Sequence, residues 1–360
     1  ELQKLIDDDG LKGVTSNPAI FQKAIAGSRD YDEAIRALVQ AGASIDAIYQ
    51  TLTVEDVGRA ADLFRPGYDR LAGQDGFVSL EVNPHLAHDS QGTITEARRL
   101  WQALSRPNVL IKVPATREGL PAIRQLISEG INVNVTLLFG LPRYREVAEA
   151  YIAGLEARAA QGQPLDRVAS VASFFLSRID VLLDPQLEKL AASGGPQAPG
   201  ARELIGQVAI ASAKEAYRIY QEIFGSARFK KLAEGGARPQ RLLWASTSTK
   251  NPAYPDVKYV EPLIAPDTVN TLPPETLEAY RDHGDPAPRL TEGLDLAAGS
   301  LARLPELGID LDQATQQLED EGVEKFNQPF DSLMGTLEGK RQEVLAGAGA
   351  AASARSGGTS

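Results

Sequence analysis

Residues 109–138 read VLIKVPATREGLPAIRQLISEGINVNVTLL. Two strand-length apolar runs, 109–114 and 133–138, flank residues 120–129, whose apolar positions recur at helical spacing. This is one strand–helix–strand unit, and the alternation continues on both sides. Upstream, residues 11–15 (LKGVT) and 77–82 (FVSLEV) are further runs of β-branched or aromatic character. Downstream come 168–174 (VASVASF), 242–246 (LLWAS) and 259–264 (YVEPLI). Helical patterns occupy 97–104, 143–161 and 202–224. Strands that alternate with helices argue a parallel sheet covered by helices. Seven such strands predict an α/β chain of the TIM-type (β/α)8 barrel class with helical insertions, its first strand absent from the chain. A doubly wound sheet is the alternative. No GxGxxG or Walker-type loop follows a strand, which argues against a nucleotide site.

Three stretches exceed ordinary connections. Residues 20–75 should hold two or three helices, with Thr53-x-x-Asp56 resembling a capping box. Residues 185–240 form a long insertion whose segment 192–200 reads as a mobile loop. Residues 313–345 read as a terminal helix. The expected organisation is one barrel domain over residues 1–345. The Ala/Gly/Ser-rich stretch 346–360 is then a disordered tail, or a linker to a further fused module.

Composition narrows the function. The 360 residues carry 37 Lys+Arg against 48 Asp+Glu, a net charge of −11, with no basic stripe for a nucleic-acid backbone. No apolar run approaches the roughly 20 residues of a membrane span, and ELQKLIDDDG is no signal peptide. Without cysteine there are no disulfides, thiolate nucleophiles or thiolate metal sites, and a cytoplasmic location is expected.

Chemistry concentrates at strand ends. Lys112 lies between Ile111 and Val113 in a buried strand, where desolvation disfavours the ammonium form and leaves an amine able to attack a carbonyl. An inert, salt-bridged lysine at a strand edge is the other reading. Glu81 shares one strand face with Ser79 and Asn83, as a structural pair or a proton-transfer group. Asn132, Asn134 and Thr136 alternate with valines and point to one face, to be satisfied by a network or a ligand. Ser173 and Arg178 follow one strand and Ser246 and Lys250 another. Both pairs combine a hydroxyl with a cation, as phosphate sites do. Asn17 or Ser16 caps a Pro-initiated helix, by itself a structural or a ligand-binding signature. Pro84 breaks the helical spacing of His85 and His88 after Glu81, so no metal is expected.

Taken together, GVTSNPAIF, SLEVNP, NVLIKVPAT, INVNVTLLFG, VASFFLSRID and LLWASTSTKNP resemble the transaldolases, of the bacterial branch with long insertions. The resemblance spans most of residues 11–270 and implies transfer of a dihydroxyacetone unit between ketose and aldose phosphates, without metal or organic cofactor. It makes Lys112 the Schiff-base lysine, Glu81 the acid/base carboxylate and Thr136 the residue holding the catalytic water. Asn17 and Asn134 become substrate contacts, and Ser173, Arg178 and Ser246 phosphate-site residues. A second family arginine has no clear counterpart, and Lys250 is its candidate replacement. The family's first-strand aspartate, upstream of the Ser-Asn-Pro turn, has no counterpart between Glu1 and Thr15, which suggests a truncated product. A Schiff-base sugar-phosphate aldolase and a non-catalytic sugar-phosphate-binding barrel are the alternative functions.

Overall fold

The computed structural model describes residues 1–356 and the side chains of residues 1–347. The chain opens with α1 (Leu2–Asp8), β1 (Gly13–Thr15), α2 (Pro18–Gly27), α3 (Asp32–Gln40) and the long α4 (Ile45–Arg70). It continues through β2 (Phe77–Glu81), α5 (Ser90–Leu104), β3 (Val109–Pro114), α6 (Gly119–Ser128), β4 (Val133–Leu138) and α7 (Leu141–Ala160). Next come β5 (Ser170–Phe175), α8 (Ser177–Ala192), α9 (Ala198–Leu204), α10 (Val208–Phe224), α11 (Ala227–Glu234) and β6 (Arg241–Ala245). The last elements are β7 (Thr268–Asn270), α12 (Pro274–His283), α13 (Leu294–Ala302) and α14 (Leu311–Ser356).

The seven parallel strands are hydrogen-bonded in chain order, β1 to β7. A doubly wound sheet reverses its order at a switch point, and this one does not, which leaves the TIM-type α/β class. The chain divides into two compact, interleaved units. One holds Glu1–His85, Thr95–Ile111 and the residues from Glu324 on; the other holds Leu86–Ile94 and Lys112–Val323. Strand β3 and helices α5 and α14 contribute to both.

In the first unit β1 runs parallel to β2 with Gly13 opposite Phe77. A Cβ on Gly13 would stand 2.7 Å from the Phe77 carbonyl oxygen, so only glycine lets the two backbones approach this closely. Asn108, 1 % exposed, donates its amide to the carbonyls of Ala61 (2.8 Å) and Gly76 (2.9 Å). One side chain thus fastens the entry of β3 to α4 and to the turn before β2. Beyond Glu324, α14 sets Phe330 edge-on to Tyr49 at 5.3 Å and Lys340 against Asp32 at 2.5 Å.

In the second unit β4, β5, β6 and β7 pair in parallel, with Leu243 opposite both Ser173 and Val269. Val133, Val135, Ala172, Phe174 and Leu242 are completely buried. Trp244 donates its indole N–H to the Leu263 carbonyl at 3.0 Å. The β4–β5 register slips between Val135 and Leu138, and Leu137 takes a left-handed φ of 55° there.

Several expectations need correction. Residues 259–264 are not a strand: Glu261–Leu263 is a 3-10 turn and the seventh strand is Thr268–Asn270. Pro262 lacks the N–H that a ladder needs, which the apolar character of the run concealed. Thr53 does not cap a helix; it lies inside α4 and donates to Tyr49 O at 2.9 Å, while Ser44 caps the helix by accepting from Ala47 N. The helical pattern 202–224 is broken between α9 and α10 at Gly206, whose φ is +69°. Helix α14 continues to Ser356 through a stretch expected to be disordered, in keeping with the high helix propensity of alanine. Residues 357–360 of that predicted tail lie outside the described residues. No helix among the described residues is long and apolar enough to cross a membrane.

Candidate active site

Strand β3 is buried along its whole length, so the side chain of Lys112 cannot be aimed at water. It is 5 % exposed between two completely buried neighbours, Ile111 and Val113. On β4 the alternation places Asn134 and Thr136 on one face. Asn134 Oδ1 accepts a hydrogen bond of 2.7 Å from the Ser173 hydroxyl on β5. Both residues are buried, so the pair is held without competition from water. Thr136 is completely buried, and its Oγ1 makes no hydrogen bond. A buried hydroxyl left without a partner costs about 1–3 kcal/mol, a cost that a bound water or substrate oxygen would offset. The Thr136 carbonyl accepts from Ala115 N at 2.7 Å, and the left-handed kink at Leu137 follows at once. Asn132, expected on the same face, serves elsewhere: its Oδ1 accepts from Ala169 N and anchors the start of β5.

A second cluster forms where β5 and β6 end. Ser246 leaves β6 with a left-handed φ of 55°. Its carbonyl accepts from Ser177 N at 3.1 Å, and its hydroxyl lies 2.8 Å from the Ser177 hydroxyl. Ser177 and Arg178 open helix α8, whose dipole favours an anion at its N-terminus. Arg178 stacks over Phe175 with its Cζ 5.6 Å from the ring centroid. Its Nη1 is buried and makes no hydrogen bond. Burial pulls its guanidinium below the usual arginine range, and the charge of Glu321 pushes the other way. Two hydroxyls, a helix start and a guanidinium with an unused donor are thus grouped where β5 and β6 end. Lys250 is not drawn into this cluster: it is exposed, and its ammonium lies 2.5 Å from the Ser248 hydroxyl.

The segment after β6 is pinned from beneath. Asp180 on α8 accepts from Ala209 N (2.8 Å) and the Tyr259 hydroxyl (2.7 Å). Asp184, one turn on, accepts from Gly206 N (2.8 Å) and the Tyr254 hydroxyl (2.6 Å). Lys258 donates to the Gly206 carbonyl and lies over the Tyr254 ring. Burial raises the Asp180 carboxyl above its usual range, and burial together with Asp180 raises the Tyr259 phenol.

In the first unit Asn17 caps α2 by accepting from Ile20 N at 2.9 Å, with Pro18 as the first helical residue. The Ser16 hydroxyl donates to Ser79 O at 2.8 Å and ties the turn to β2. Glu81 ends β2 and is 5 % exposed. Burial, reinforced by the charges of Glu81 and Glu96, raises the Tyr49 phenol. His85 pairs with Asp331 at 2.7 Å and His88 with Glu118 at 3.2 Å. Among the described residues no group of three or more His, Asp or Glu side chains could hold a metal ion.

The model of the transaldolase/fructose-6-phosphate aldolase family matches residues 1–337. A protein named transaldolase from Trichodesmium erythraeum is 50 % identical over 96 % of this chain and 92 % of its own length. The chain belongs to this family. A transaldolase of Saccharopolyspora erythraea is 49 % identical over 93 % of this chain and 89 % of its own length. A protein named transaldolase 2 from a Nostoc species is 50 % identical over 94 % of this chain and 91 % of its own length. Seen as a family member, the chain has two further polar residues at its strand ends that the sequence did not single out. Ser177 stood inside the quoted VASFFLSRID segment but was masked by its better-charged neighbour. Asn270 ends β7, the strand whose position was misread; its Oδ1 is buried and makes no hydrogen bond.

Proposed function

We propose that Lys112 is the nucleophile of a transaldolase reaction in this chain. The observation that carries the reading is an amine almost wholly buried in an apolar strand, on a family member related at about half of all positions to proteins named transaldolase. The amine of Lys112 adds to the ketone carbon of fructose 6-phosphate or sedoheptulose 7-phosphate. The carbinolamine loses water and becomes an iminium. That cation is an electron sink: a base takes the proton of the hydroxyl two carbons from the iminium carbon, the intervening carbon–carbon bond breaks and an aldose phosphate leaves. The residual enamine attacks the aldehyde carbon of glyceraldehyde 3-phosphate or erythrose 4-phosphate, and hydrolysis frees the new ketose and the lysine. Proton transfers during carbinolamine formation and hydrolysis are assigned to Glu81, and orientation of the water to Thr136. Asn17 and Asn134 are assigned to substrate hydroxyls. Arg178, Ser246 and Ser173 are assigned to the phosphate end, where a bidentate guanidinium fixes the reacting carbons. Lys250 is assigned to the same end as a second cation.

Borohydride reduction in the presence of fructose 6-phosphate, followed by peptide mass spectrometry, tests the assignment. The adduct is expected on the peptide containing Lys112, and Lys112→Ala is expected to abolish it while inorganic phosphate still binds. An adduct on another lysine overturns the reading. The family description also names an aldolase, so release of free dihydroxyacetone with and without an acceptor aldose decides between transfer and cleavage. A cytoplasmic location is part of this proposal, checked by fractionation.

A further inference from the structure

The inner face of α8 carries a polar stripe. Ser177, Asp180 and Asp184 stand at i, i+3 and i+7 on that helix, one above another, and all three are buried. Each takes a partner from the segment between β6 and β7. Ser177 meets Ser246 twice, through its backbone N–H at 3.1 Å and its hydroxyl at 2.8 Å. Asp180 Oδ2 accepts from the Tyr259 hydroxyl at 2.7 Å, and Asp184 Oδ2 from the Tyr254 hydroxyl at 2.6 Å. The other oxygen of each carboxylate accepts from the turn between α9 and α10, at Ala209 N and Gly206 N. Lys258 closes the seam, with its ammonium 3.7 Å from Asp180 Oδ2 and over the Tyr254 ring. Two carboxylates buried one turn apart are a costly way to join segments that apolar side chains could also pack. Hydrogen bonds of fixed length and direction supply registry, which apolar packing alone does not.

That registry bears on Ser246. Its left-handed φ of 55° persists only where the surroundings impose it. On one side the start of α8 holds it: Leu176 N donates to Ala245 O at 3.0 Å and Ser177 N to Ser246 O. On the other, the Thr247 hydroxyl donates to Thr271 O at 2.6 Å. We propose that Asp180 and Asp184 are positioning residues for the phosphate end of the substrate. Through Tyr259 and Tyr254 they moor the segment after β6 along α8 and so keep the Ser246 hydroxyl in register with Ser177 and Arg178, which leave the first turn of the same helix. Neither carboxylate touches substrate, since both oxygens of each are engaged by protein donors. The inference rests on the reading of Arg178 and Ser246 as the phosphate end of a transaldolase site.

The probe is inorganic phosphate, read on the full chain as competitive inhibition against fructose 6-phosphate, beside KM, kcat and the melting temperature. The Tyr254→Phe/Tyr259→Phe double variant removes both ties to the segment and leaves the α10 ties in place. It is expected to raise the phosphate inhibition constant and KM together by about three- to tenfold, with kcat held within about twofold. Asp184→Ala should act in the same direction, and Asp184→Asn, which can still accept from Gly206 N and Tyr254, should restore KM. A role in stability alone would lower the melting temperature and the active fraction, hence the apparent kcat, without moving KM or the inhibition constant. Should the double variant not fold, Tyr254→Phe alone, at the less buried tie, carries the test. Arg178→Ala is the control and should lose sensitivity to phosphate. If it does so while the tyrosine variants keep the parent KM and inhibition constant, the mooring role is overturned and the Arg178 assignment stands. If Arg178→Ala keeps full phosphate sensitivity, the assignment fails and the inference fails with it.

Discussion

Replacing Arg143 by methionine is expected to lower the melting temperature by several degrees. The guanidinium and the Glu319 carboxylate are 3.1 Å apart, with side chains only 9 % and 7 % exposed. Arg143 also reaches Glu146, on its own helix, at 2.6 Å and Gln316 at 3.3 Å, so it joins α7 to α14 through two acceptors, Glu319 and Gln316. Without it, Glu319 keeps only the Gln316 amide at 3.2 Å. Burial already holds the Glu319 carboxyl above its usual range, with Arg143 pulling it down. Stranding one member of a buried pair costs about 3–5 kcal/mol. An unfolding entropy of about 2.1 cal/mol/K per residue over 360 residues is about 0.76 kcal/mol/K, which converts that cost into about 4–7 °C. Scanning calorimetry at neutral pH measures it. The Arg143→Met/Glu319→Leu double variant should recover most of the loss, because it strands no charge. The deficit of the single variant should shrink as the pH falls, since a protonated Glu319 needs no cation. A drop below about 1 °C, or a double variant as unstable as the single one, would refute the reasoning.

Asn108→Ala removes the donor shared by the Ala61 and Gly76 carbonyls and should cost about 2–4 kcal/mol in urea unfolding. Ser173→Ala leaves Asn134 Oδ1 without its buried donor; stability should fall by about 1–3 kcal/mol, and turnover should fall further than KM rises. Asp180 carries a pH signature. Its carboxyl is raised in the folded state, so the folded chain holds that proton more tightly than the unfolded one. Its ionisation therefore costs stability, and the cost is absent below the unfolded pKa of about 3.9 and grows as the pH rises through the folded value. Asp180→Asn, which can still accept from Ala209 N, should be at its greatest disadvantage below about pH 3.9 and lose less as the pH rises above it. A disadvantage that widens with pH in urea titrations would contradict the sign.

The strands that carry Lys112, Asn134 and Ser173 were legible because each is an apolar run with one or two polar residues set into it, too short for a helix. Thr268–Asn270 was not legible. Three residues give no periodicity, and the neighbouring YVEPLI run offered a stronger apolar signal, although Tyr259, Val260 and Leu263 are buried from a turn. The break at Gly206 escaped for a related reason. Its cause lies in side chains some 50 residues away: a Cβ there would meet Lys258 Nζ and the Tyr254 hydroxyl, each at 2.7 Å. The Tyr254–Asp184 and Tyr259–Asp180 bonds and the approach of α14 to Arg178 likewise join segments 70 or more residues apart. Local pattern reveals which side chains leave a strand, and contacts of that span decide what they meet.

Leu137 and Ser246 both adopt the left-handed backbone region without being glycine, each just where a strand gives way to the loop that follows it. Such conformations cost on the order of 1–3 kcal/mol and persist only when the surroundings impose them. For protein engineering they are fixed points. A glycine at Ser246 should relieve that backbone cost but lose the hydroxyl contact with Ser177, whereas a glycine at Leu137 should destabilise the chain, because it removes a side chain that is 1 % exposed.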